Sequence, residues 1–140
     1  LVFRSLKNQT TKVFGRNYDT DDGTCIRDYI HIKDVCSSIE KSIIYLLKKN
    51  HKSKIINIGN ELGISNLQIL EVLKRKLRRK IKVLFTQRRL GDPAKLVCNI
   101  NKAKKYLNWR PHNSKIEKII IDEISWSEYL IKQGFRRFPN

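Results

Sequence analysis

The sequence predicts an α/β fold, and three observations lead to that prediction. Short β-branched runs alternate along the chain with segments in which apolar residues recur at helical spacing. The 140 residues suit a single domain, and 40% of them are hydrophobic, which is too many for a disordered basic chain. No internal repeat or low-complexity linker interrupts the order of these segments. Strands and helices mixed in this way are typical of α/β proteins.

Four short segments are predicted to be extended. β-Branched and aromatic residues are frequent in them, and turn-forming residues bound them. They are Lys12–Phe14, Cys25–Ile32, Lys54–Gly59 and Ile81–Phe85. Residues 88–95 are predicted to be a loop, because Gly91 and Pro93 interrupt them.

The first two predicted helices differ in how they begin. Asp34 is the predicted N-cap of the first, because its carboxylate can accept from a free amide of the first turn. The apolar positions of this helix, which runs to about Lys49, are Val35, Ile39, Ile43, Leu46 and Leu47. The second begins at a capping box formed by Ser65 and Gln68. Its apolar face consists of Leu67, Leu70, Leu73 and Leu77.

Two further helices are predicted in the last forty residues. Asn101–Leu107 is short and basic and ends before Pro111. Ile116–Ile131 is the longest, and its inward-facing residues are expected to be Ile116, Ile120, Ile124 and Tyr129.

The chain is strongly basic, with 30 Lys and Arg against 13 Asp and Glu and a net charge of +17. The densest cluster is Lys74–Lys80, on the polar face of the leucine-rich helix. Such a cluster can bind phosphate backbones, and a basic nucleic-acid-binding module is therefore one hypothesis. The simpler interpretation is a solvated polar face, and we favour it because no helix-turn-helix, zinc-finger or aromatic RNA-binding signature accompanies the charge.

Composition argues against several other classes. The segment Ile116–Trp126 is interrupted by Glu and Asp, so no stretch approaches the roughly 20 apolar residues of a membrane helix. Leu1–Thr11 is too polar for a secretory signal. The three cysteines have no CxxC spacing, which argues against a disulfide framework or a zinc site. No histidine has metal-ligand spacing, so we expect no metal site. The absence of a disulfide framework indicates a reducing compartment, so we expect a cytoplasmic protein.

The run Arg88-Arg89-Leu90-Gly91-Asp92-Pro93 combines two guanidiniums, a flexible glycine and a carboxylate. Arginine forks pair with phosphate oxygens, and a carboxylate accepts from the vicinal hydroxyls of a ribose. The run therefore suits a sugar nucleotide. A surface loop with a salt bridge has the same composition, so both interpretations stay open at this point.

The run Arg27-Asp28-Tyr29-Ile30-His31 places polar groups in a strand that the pattern predicts to be buried. Burying Arg27 and Asp28 costs several kcal/mol unless they are paired or hold a ligand. His31 in such a strand is more commonly a hydrogen-bonded structural residue than a catalyst.

Nicotinamide-cofactor signatures are weak in this sequence. Tyr29 and Lys33, and Tyr45 and Lys49, have the Tyr-x-x-x-Lys spacing of short-chain dehydrogenases, in which the pair transfers protons. We interpret both matches as coincidences, because the first precedes the predicted helix and the second lacks a neighbouring Ser/Thr motif. The segment from Gly59 to Gly63 lacks the G-x-G-x-x-G order of a dinucleotide-binding loop.

The stretch from Val13 to Asp34, VFGRNYDTDDGTCIRDYIHIKD, closely resembles UDP-glucose 4-epimerases of the extended short-chain dehydrogenase/reductase group. Further stretches resemble the same family in the same order: Asn57-Ile58-Gly59, Arg88–Ala94, Lys102-Ala103, Leu107-Asn108-Trp109 and Ile124-Ser125-Trp126. The resemblance spans nearly the whole chain. It implies that residues 1–140 are the C-terminal, UDP-sugar-binding part of such an enzyme, without most of the N-terminal Rossmann domain.

The resemblance also implies a reaction and a set of binding residues. The family oxidises the sugar C4 hydroxyl by hydride transfer to NAD, and the 4-keto sugar then rotates and is reduced on its other face. This interconverts UDP-glucose and UDP-galactose. By resemblance, Lys12, Val13 and Phe14 line the uracil, Arg27 holds the diphosphate and Tyr29 shapes the pocket. The resemblance also implies that Arg89 binds phosphate and that Asp92 accepts hydrogen bonds from the ribose hydroxyls.

Three alternatives follow from the same resemblance. The chain contains no Met and opens on Leu1, so a gene fragment is one expectation. A second expectation is that an N-terminal half, with the Gly-rich NAD loop and the catalytic Tyr and Lys, is encoded upstream or on another chain. Without those parts the chain alone is expected to lack epimerase activity. Lys33, Cys36 and Gly63 depart from the family pattern, which leaves a related UDP-hexose enzyme as the third.

Overall fold

A computed structural model describes residues 1–48 and 52–135. Helices and strands are mixed along these residues, in agreement with the predicted α/β class. In chain order they are α1 (Val2–Leu6), β1 (Thr11–Phe14), β2 (Ile26–Asp28), α2 (Ile32–Leu47), β3 (Gly63–Ser65), α3 (Asn66–Leu77), β4 (Val83–Thr86), β5 (Lys95–Leu96), α4 (Asn101–Leu107) and α5 (Ile116–Lys132).

The strands form two small sheets. In the first, β1 and β4 are parallel, and Val13 lies opposite Phe85. In the second, the order is β3-β2-β5, and β2 runs antiparallel to β3 and parallel to β5. Ile26 at the start of β2 is therefore opposite both Ser65 and Lys95. This arrangement places the start of α3, which follows β3, and the loop that precedes β5 on opposite sides of β2.

Two apolar clusters hold the elements together. The first joins α1, α3 and α5 through Val2, Ile69, Val72, Leu73 and Ile120. The second lies between α2 and α4 and contains Tyr45, Ile100, Ala103, Leu107 and Trp109. Burying side chains of this size stabilises a fold by about 1.5–3 kcal/mol each.

Helix α3 confirms the predicted capping box. The hydroxyl of Ser65 accepts from the amide of Gln68 at 3.1 Å, and the amide of Ser65 donates to Oε1 of Gln68 at 2.8 Å. Leu70 and Leu73 are buried as predicted, together with Ile69 and Val72 from the adjacent row. Leu67 and Leu77 at the ends of the predicted face are only partly buried.

Helix α2 begins earlier than predicted, and the prediction that Asp34 is its N-cap is wrong. The N-cap is His31, whose Nδ1 accepts from the amide of Lys33 at 3.0 Å. Asp34 lies in the first turn and bonds another part of the chain. The helix ends at Leu47, and the predicted end at Lys49 lies outside the described residues.

The predicted apolar face of α2 is largely exposed. Ile39, Ile43, Leu46 and Leu47 are each more than half exposed, with values from 54% to 80%. The helix instead buries Asp34, Ser38 and Tyr45 against the second cluster. Because exposed large apolar groups rarely cluster on a free surface, this face is unusual for a monomer.

The segment 54–58 is not a strand, so that prediction is wrong. Ile56 and Ile58 pack against the second cluster, while Ile55 is 87% exposed. Inward and outward positions thus alternate as in a strand, but none of the described strands pairs with the segment. β-Branched composition alone does not make a strand where no neighbour accepts its hydrogen bonds.

Two details at the chain ends also differ from expectation. Helix α1 was not predicted, because its five residues are too few for a periodic pattern. Tyr129 is 53% exposed and stacks on Trp126, so the expectation that it faces inward is wrong. Ile120 is buried, and Ile116 and Ile124 pack against the first cluster, as predicted. None of the helices in the described residues is long and apolar enough to cross a membrane.

Asp34 anchors the start of α2 to the turn that precedes α5. Its carboxylate accepts from the amides of His112 at 3.1 Å and Asn113 at 2.8 Å, from Nδ2 of Asn113 at 2.9 Å and from the hydroxyl of Ser114 at 2.6 Å. Burial raises the pKa of Asp34, but these hydrogen bonds outweigh burial and hold its pKa below the ordinary value.

We expect Asp34→Asn to lower the free energy of unfolding by about 1.5–3 kcal/mol, because an amide cannot accept from all of these donors. The wild-type contribution is present above the unfolded-state pKa of about 3.9 and is lost as pH falls through the lower folded-state pKa. Urea unfolding between pH 7 and pH 2 measures both effects. An Asp34→Asn variant that loses stability in acid as steeply as the wild type would contradict this assignment.

Candidate functional site

A cleft of about 670 Å³ opens beside β1 and β2, where the loop after β4 and the start of α3 also reach it. Its lining includes every site residue expected from the sequence: Lys12, Val13, Phe14, Arg27, Tyr29, Arg89 and Asp92. Five further residues complete the lining: Leu1, Arg4, Thr11, Cys25 and Asn66. Segments far apart in sequence therefore meet around one concave site.

The side-chain alternation of β2 explains which residues face the cleft. Successive side chains of extended backbone point to opposite faces, so Arg27 in β2 shares one face with Cys25 and Tyr29, which flank the strand. All three line the cleft. Asp28, between them, bonds residues behind the sheet. Cys25 carries the same period-two signal as Arg27 and Tyr29, so its position was open to prediction from the sequence.

An ion pair between Arg27 and Asp92 joins β2 to the loop before β5. Nη2 of Arg27 donates to Oδ1 of Asp92, and Nη1 donates to the carbonyl of Ile26 at 2.7 Å. The hydroxyl of Tyr18 donates to Oδ2 of Asp92 at 3.3 Å. Burial, and then the Asp92 carboxylate, raise the pKa of Tyr18, which therefore stays a donor at neutral pH. The pair leaves Asp92 with acceptor capacity on both oxygens.

The two arginines of the loop after β4 have different surroundings. The guanidinium of Arg89 lies over the ring of Phe14, 3.9 Å from its centroid, and is exposed. Within the described residues no carboxylate lies at ion-pair distance from it. Arg88 instead lies over Tyr18 at 4.2 Å and donates Nε to Oδ1 of Asn17 at 2.7 Å. Of these two arginines, Arg89 is therefore the one that lies at the cleft with guanidinium N–H donors free for a ligand.

The two charged residues of β2, Arg27 and Asp28, have hydrogen-bond partners on opposite faces of the sheet. Arg27 pairs with Asp92 at the front of the sheet. At the back, Asp28 accepts from the amides of Asn60 at 2.8 Å and Glu61 at 3.3 Å, and from the amide and thiol of Cys98 at 3.3 and 3.2 Å. Asp28 is therefore bonded within the protein and does not line the cleft.

His31 is a hydrogen-bonded residue, as expected. Its amide donates to the hydroxyl of Ser114 at 2.9 Å, and Nε2 lies 2.8 Å from Oδ2 of Asp122. With Nδ1 accepting from Lys33, both ring nitrogens are engaged. These bonds tie the end of the β2 segment to α5.

The segment from Gly59 to Gly63 does not form a dinucleotide-binding loop. A Cβ on Gly59 would collide with Sγ of Cys98 and approach Oδ2 of Asp28 to 2.5 Å, so this glycine serves close packing. Gly63 is the first residue of β3, whereas the glycines of a phosphate-binding loop lie between a strand and a helix N-terminus. Within residues 1–48 and 52–135, no three His, Cys, Asp or Glu side chains are grouped to hold a metal ion.

The basic cluster Lys74–Lys80 lies at the end of α3 and the turn that follows. Arg75 pairs with Glu117 at 3.2 Å, and Arg79 donates to the carbonyl of Ser5. The remaining cations of the cluster are exposed, and none of the cluster lines the cleft. The charge therefore forms a solvated helix face that is separate from the site.

The three cysteines are free and differ in burial. Burial and the neighbouring Asp28 carboxylate raise the pKa of Cys98 from 9.0 to about 11, whereas Cys36 is exposed. Because the thiolate is the nucleophile, that shift lowers the reactive fraction of Cys98 about 100-fold at pH 8.

We expect iodoacetamide at pH 8 to modify Cys36 quickly and Cys98 and the buried Cys25 slowly, as peptide mass spectrometry measures. Asp28→Asn removes the nearby charge and is expected to speed modification of Cys98 selectively. All three cysteines should react at similar rates in guanidinium chloride. Fast labelling of Cys98 in the folded wild type would contradict the Asp28 contact.

Comparison with known proteins shows what this chain is similar to. No protein-family model matches the chain. The UDP-glucose 4-epimerase of Streptococcus mutans is 39% identical over 114 residues, which cover 81% of this chain and 34% of that protein. The chain thus spans about a third of the length of the curated relatives that it matches.

Solved structures agree with the sequence comparison. A UDP-glucose 4-epimerase from Stenotrophomonas maltophila, with bound NAD and formylated UDP-arabinopyranose, matches with a TM-score of 0.87 and 25% identity over 94% of this chain and 39% of that chain. The enzyme from Bifidobacterium longum, in complex with NAD⁺ and UDP, matches with a TM-score of 0.84 and 26% identity over 96% of this chain and 41% of that chain. The protein is therefore an α/β homologue of the UDP-glucose 4-epimerases, and it spans about a third of their length.

Proposed function

We propose that residues 1–140 are the C-terminal, UDP-sugar-binding portion of a UDP-glucose 4-epimerase-like protein. The observation that carries the proposal is the lining of the cleft. Seven residues that the resemblance assigns to the UDP-sugar come from three separate segments, and all of them surround one concave site. Concave sites with a few convergent polar groups are typical of small-molecule binding.

The chemistry of the lining fits the parts of a UDP-sugar. Lys12, Val13 and Phe14 offer the uracil a mixed apolar and polar strand. Arg27 and Arg89 supply guanidinium forks for the diphosphate, and Phe14 holds Arg89 in place from below. Asp92 keeps acceptor sites for the ribose hydroxyls while it pairs with Arg27. Tyr29 borders the same cleft and shapes it.

The proposed reaction of the complete protein is the interconversion of UDP-glucose and UDP-galactose. NAD, when bound, supplies the hydride acceptor for that chemistry. The described residues do not fit this cofactor, because the Gly59 to Gly63 segment packs against Asp28 and leads into a strand. The proposal therefore assigns no catalytic and no cofactor-binding residue to this chain, and its role is to bind and orient the UDP-sugar.

The exposed apolar face of α2 supports a partner for this portion. Six large aliphatic side chains on α2, and Ile55 on the unpaired segment 54–58, are mostly exposed. Those on α2 are Ile32, Ile39, Ile43, Ile44, Leu46 and Leu47. An apolar face beside an extended segment without a strand neighbour suits contact with a further α/β unit. We propose that the NAD-binding part of an epimerase-like protein covers this face.

Isothermal titration calorimetry with UDP tests the binding role. We expect the wild type to bind UDP, and Arg27→Ala or Arg89→Ala each to weaken binding by about 1.5–3 kcal/mol through loss of a charged hydrogen bond. Arg88→Ala is the matched control, because Arg88 is the adjacent arginine but does not line the cleft. No heat from the wild type at millimolar UDP would remove the proposed function.

The apolar face has its own test in the fluorescence of the dye ANS, which binds exposed apolar surface. We expect the isolated chain to bind ANS, and a variant with Ile39→Ser, Ile43→Ser and Leu46→Ser to bind much less. Leu90→Ser is the control, because Leu90 is fully exposed but stands alone in a loop. Equal dye binding by the triple variant and the wild type would contradict an accessible face on α2.

A further inference from the structure

A buried tyrosine contacts the cleft through a single residue of its lining. Tyr18 is 5% exposed and does not itself line the cleft. Its hydroxyl donates to Oδ2 of Asp92 at 3.3 Å, and Asp92 does line the cleft. Any effect of the Tyr18 hydroxyl on a ligand would therefore pass through the Asp92 carboxylate. The family resemblance assigns no role to Tyr18.

The ion pair between Arg27 and Asp92 leaves room for this contact. Guanidinium and carboxylate groups commonly pair through two parallel hydrogen bonds. Between these two described side chains, the only contact joins Nη2 of Arg27 to Oδ1 of Asp92, and Nη1 of Arg27 donates to the carbonyl of Ile26 at 2.7 Å. Oδ2 of Asp92 accepts from Tyr18 instead. The two carboxylate oxygens are therefore held by two groups from different parts of the chain.

Two separate contacts matter because the carboxylate of an aspartate turns easily. The torsion about its Cβ–Cγ bond is broad, so one hydrogen bond alone leaves the plane of the group poorly fixed. A second hydrogen bond at the other oxygen fixes that plane. Each oxygen of Asp92 then keeps an acceptor site in a fixed direction. Such an arrangement suits a ligand with two adjacent hydroxyl groups, as a ribose has.

Tyr18 has little freedom of its own. Its amide donates to the carbonyl of Gly23 at 2.9 Å, and its carbonyl accepts from the amide of Thr20 at 2.9 Å. A Cβ on Gly15, whose φ is +80°, would collide with Cε2 of the Tyr18 ring, so the ring packs tightly against the backbone that follows β1. Because the backbone and the ring of Tyr18 are both held, its hydroxyl donates from a fixed place.

We propose that Tyr18 is a positioning residue of the cleft, and that its hydroxyl fixes the Asp92 carboxylate in the orientation that accepts from two adjacent hydroxyls of a ligand. The proposal rests on the proposed function, because it requires a ligand with such hydroxyls in the cleft. Without the Tyr18 hydroxyl, the carboxylate turns about its Cβ–Cγ bond, and binding of the ligand must then restrict it. Restricting a mobile side chain on binding costs affinity.

The test measures the binding of three ligands by calorimetry: UDP, its 2′,3′-dideoxy analogue and inorganic pyrophosphate. The dideoxy analogue keeps the base and the diphosphate but lacks both ribose hydroxyls. Tyr18→Phe removes only the hydroxyl and keeps the buried ring. Tyr45→Phe is the matched control, because Tyr45 is also buried but lies in the second cluster and does not line the cleft. Thermal melting confirms that each variant folds.

We expect Tyr18→Phe to weaken UDP binding about three- to tenfold, the cost of ordering one side chain on binding. Binding of the dideoxy analogue and of pyrophosphate should stay unchanged, as should UDP binding by Tyr45→Phe. Wild-type affinity for UDP in a folded Tyr18→Phe variant overturns the proposal. Equal weakening for all three ligands also overturns it, because Tyr18 would then support the whole cleft and not the Asp92 carboxylate.

A second background tests whether Tyr18 acts through Asp92. Asp92→Ala removes the carboxylate, so the addition of Tyr18→Phe to this variant should weaken UDP binding no further. A merely structural role would weaken binding by the same factor in both backgrounds. That result in a folded double variant overturns the proposal.

The two proposals fail in different ways in this experiment. If the wild type does not bind UDP, the proposed function and the role of Tyr18 both fall. If Arg89→Ala weakens UDP binding and Tyr18→Phe does not, the proposed function stands and only the assignment of Tyr18 is wrong.

Discussion

The alternation of side chains along β2 is the constraint on which both the fold and the cleft depend. Three consecutive alternate residues, Cys25, Arg27 and Tyr29, face the cleft. The residue between the last two, Asp28, holds the strand from behind through four hydrogen bonds to Asn60, Glu61 and Cys98. A shift of one residue in the register would turn the polar face toward the core. The bonds at the back of the sheet thus set the geometry at its front.

The positive charges of this protein are of two kinds, those spread over exposed surfaces and those held at fixed positions in the cleft. The net charge of +17 is spread over exposed helix faces, where screening makes each cation nearly independent. Inside the cleft, two guanidiniums are individually positioned, Arg27 by the carboxylate of Asp92 and Arg89 by the ring of Phe14. Position, and not number, therefore separates these two arginines from the cations of the exposed helix faces.

Helix α2 links the core to a surface that the described residues leave uncovered. One side is fastened by Asp34 to the turn at 112–114 and by Ser37, whose hydroxyl accepts from Nε1 of Trp109 at 2.9 Å. The other side presents aliphatic groups outward. The polar fastening explains how the helix keeps its place although its most apolar residues are not buried. It also explains why apolar periodicity located the helix correctly but misjudged which side faces the core.

The sequence by itself determined the α/β class, the capping box at Ser65 and helix α4, and the seven residues that it predicts as site residues line one cleft. These depend on local spacing, or on a stretch whose resemblance is specific. It did not determine the cap of α2, the unpaired state of residues 54–58, or the place of Asn66 beside Tyr29 and Cys25. Those features depend on which distant groups supply hydrogen bonds: Ser114 and Asn113 donate to Asp34, and Nδ2 of Asn66 donates to Sγ of Cys25. Partners separated by forty to eighty residues leave no local pattern, so only the tertiary structure decided them.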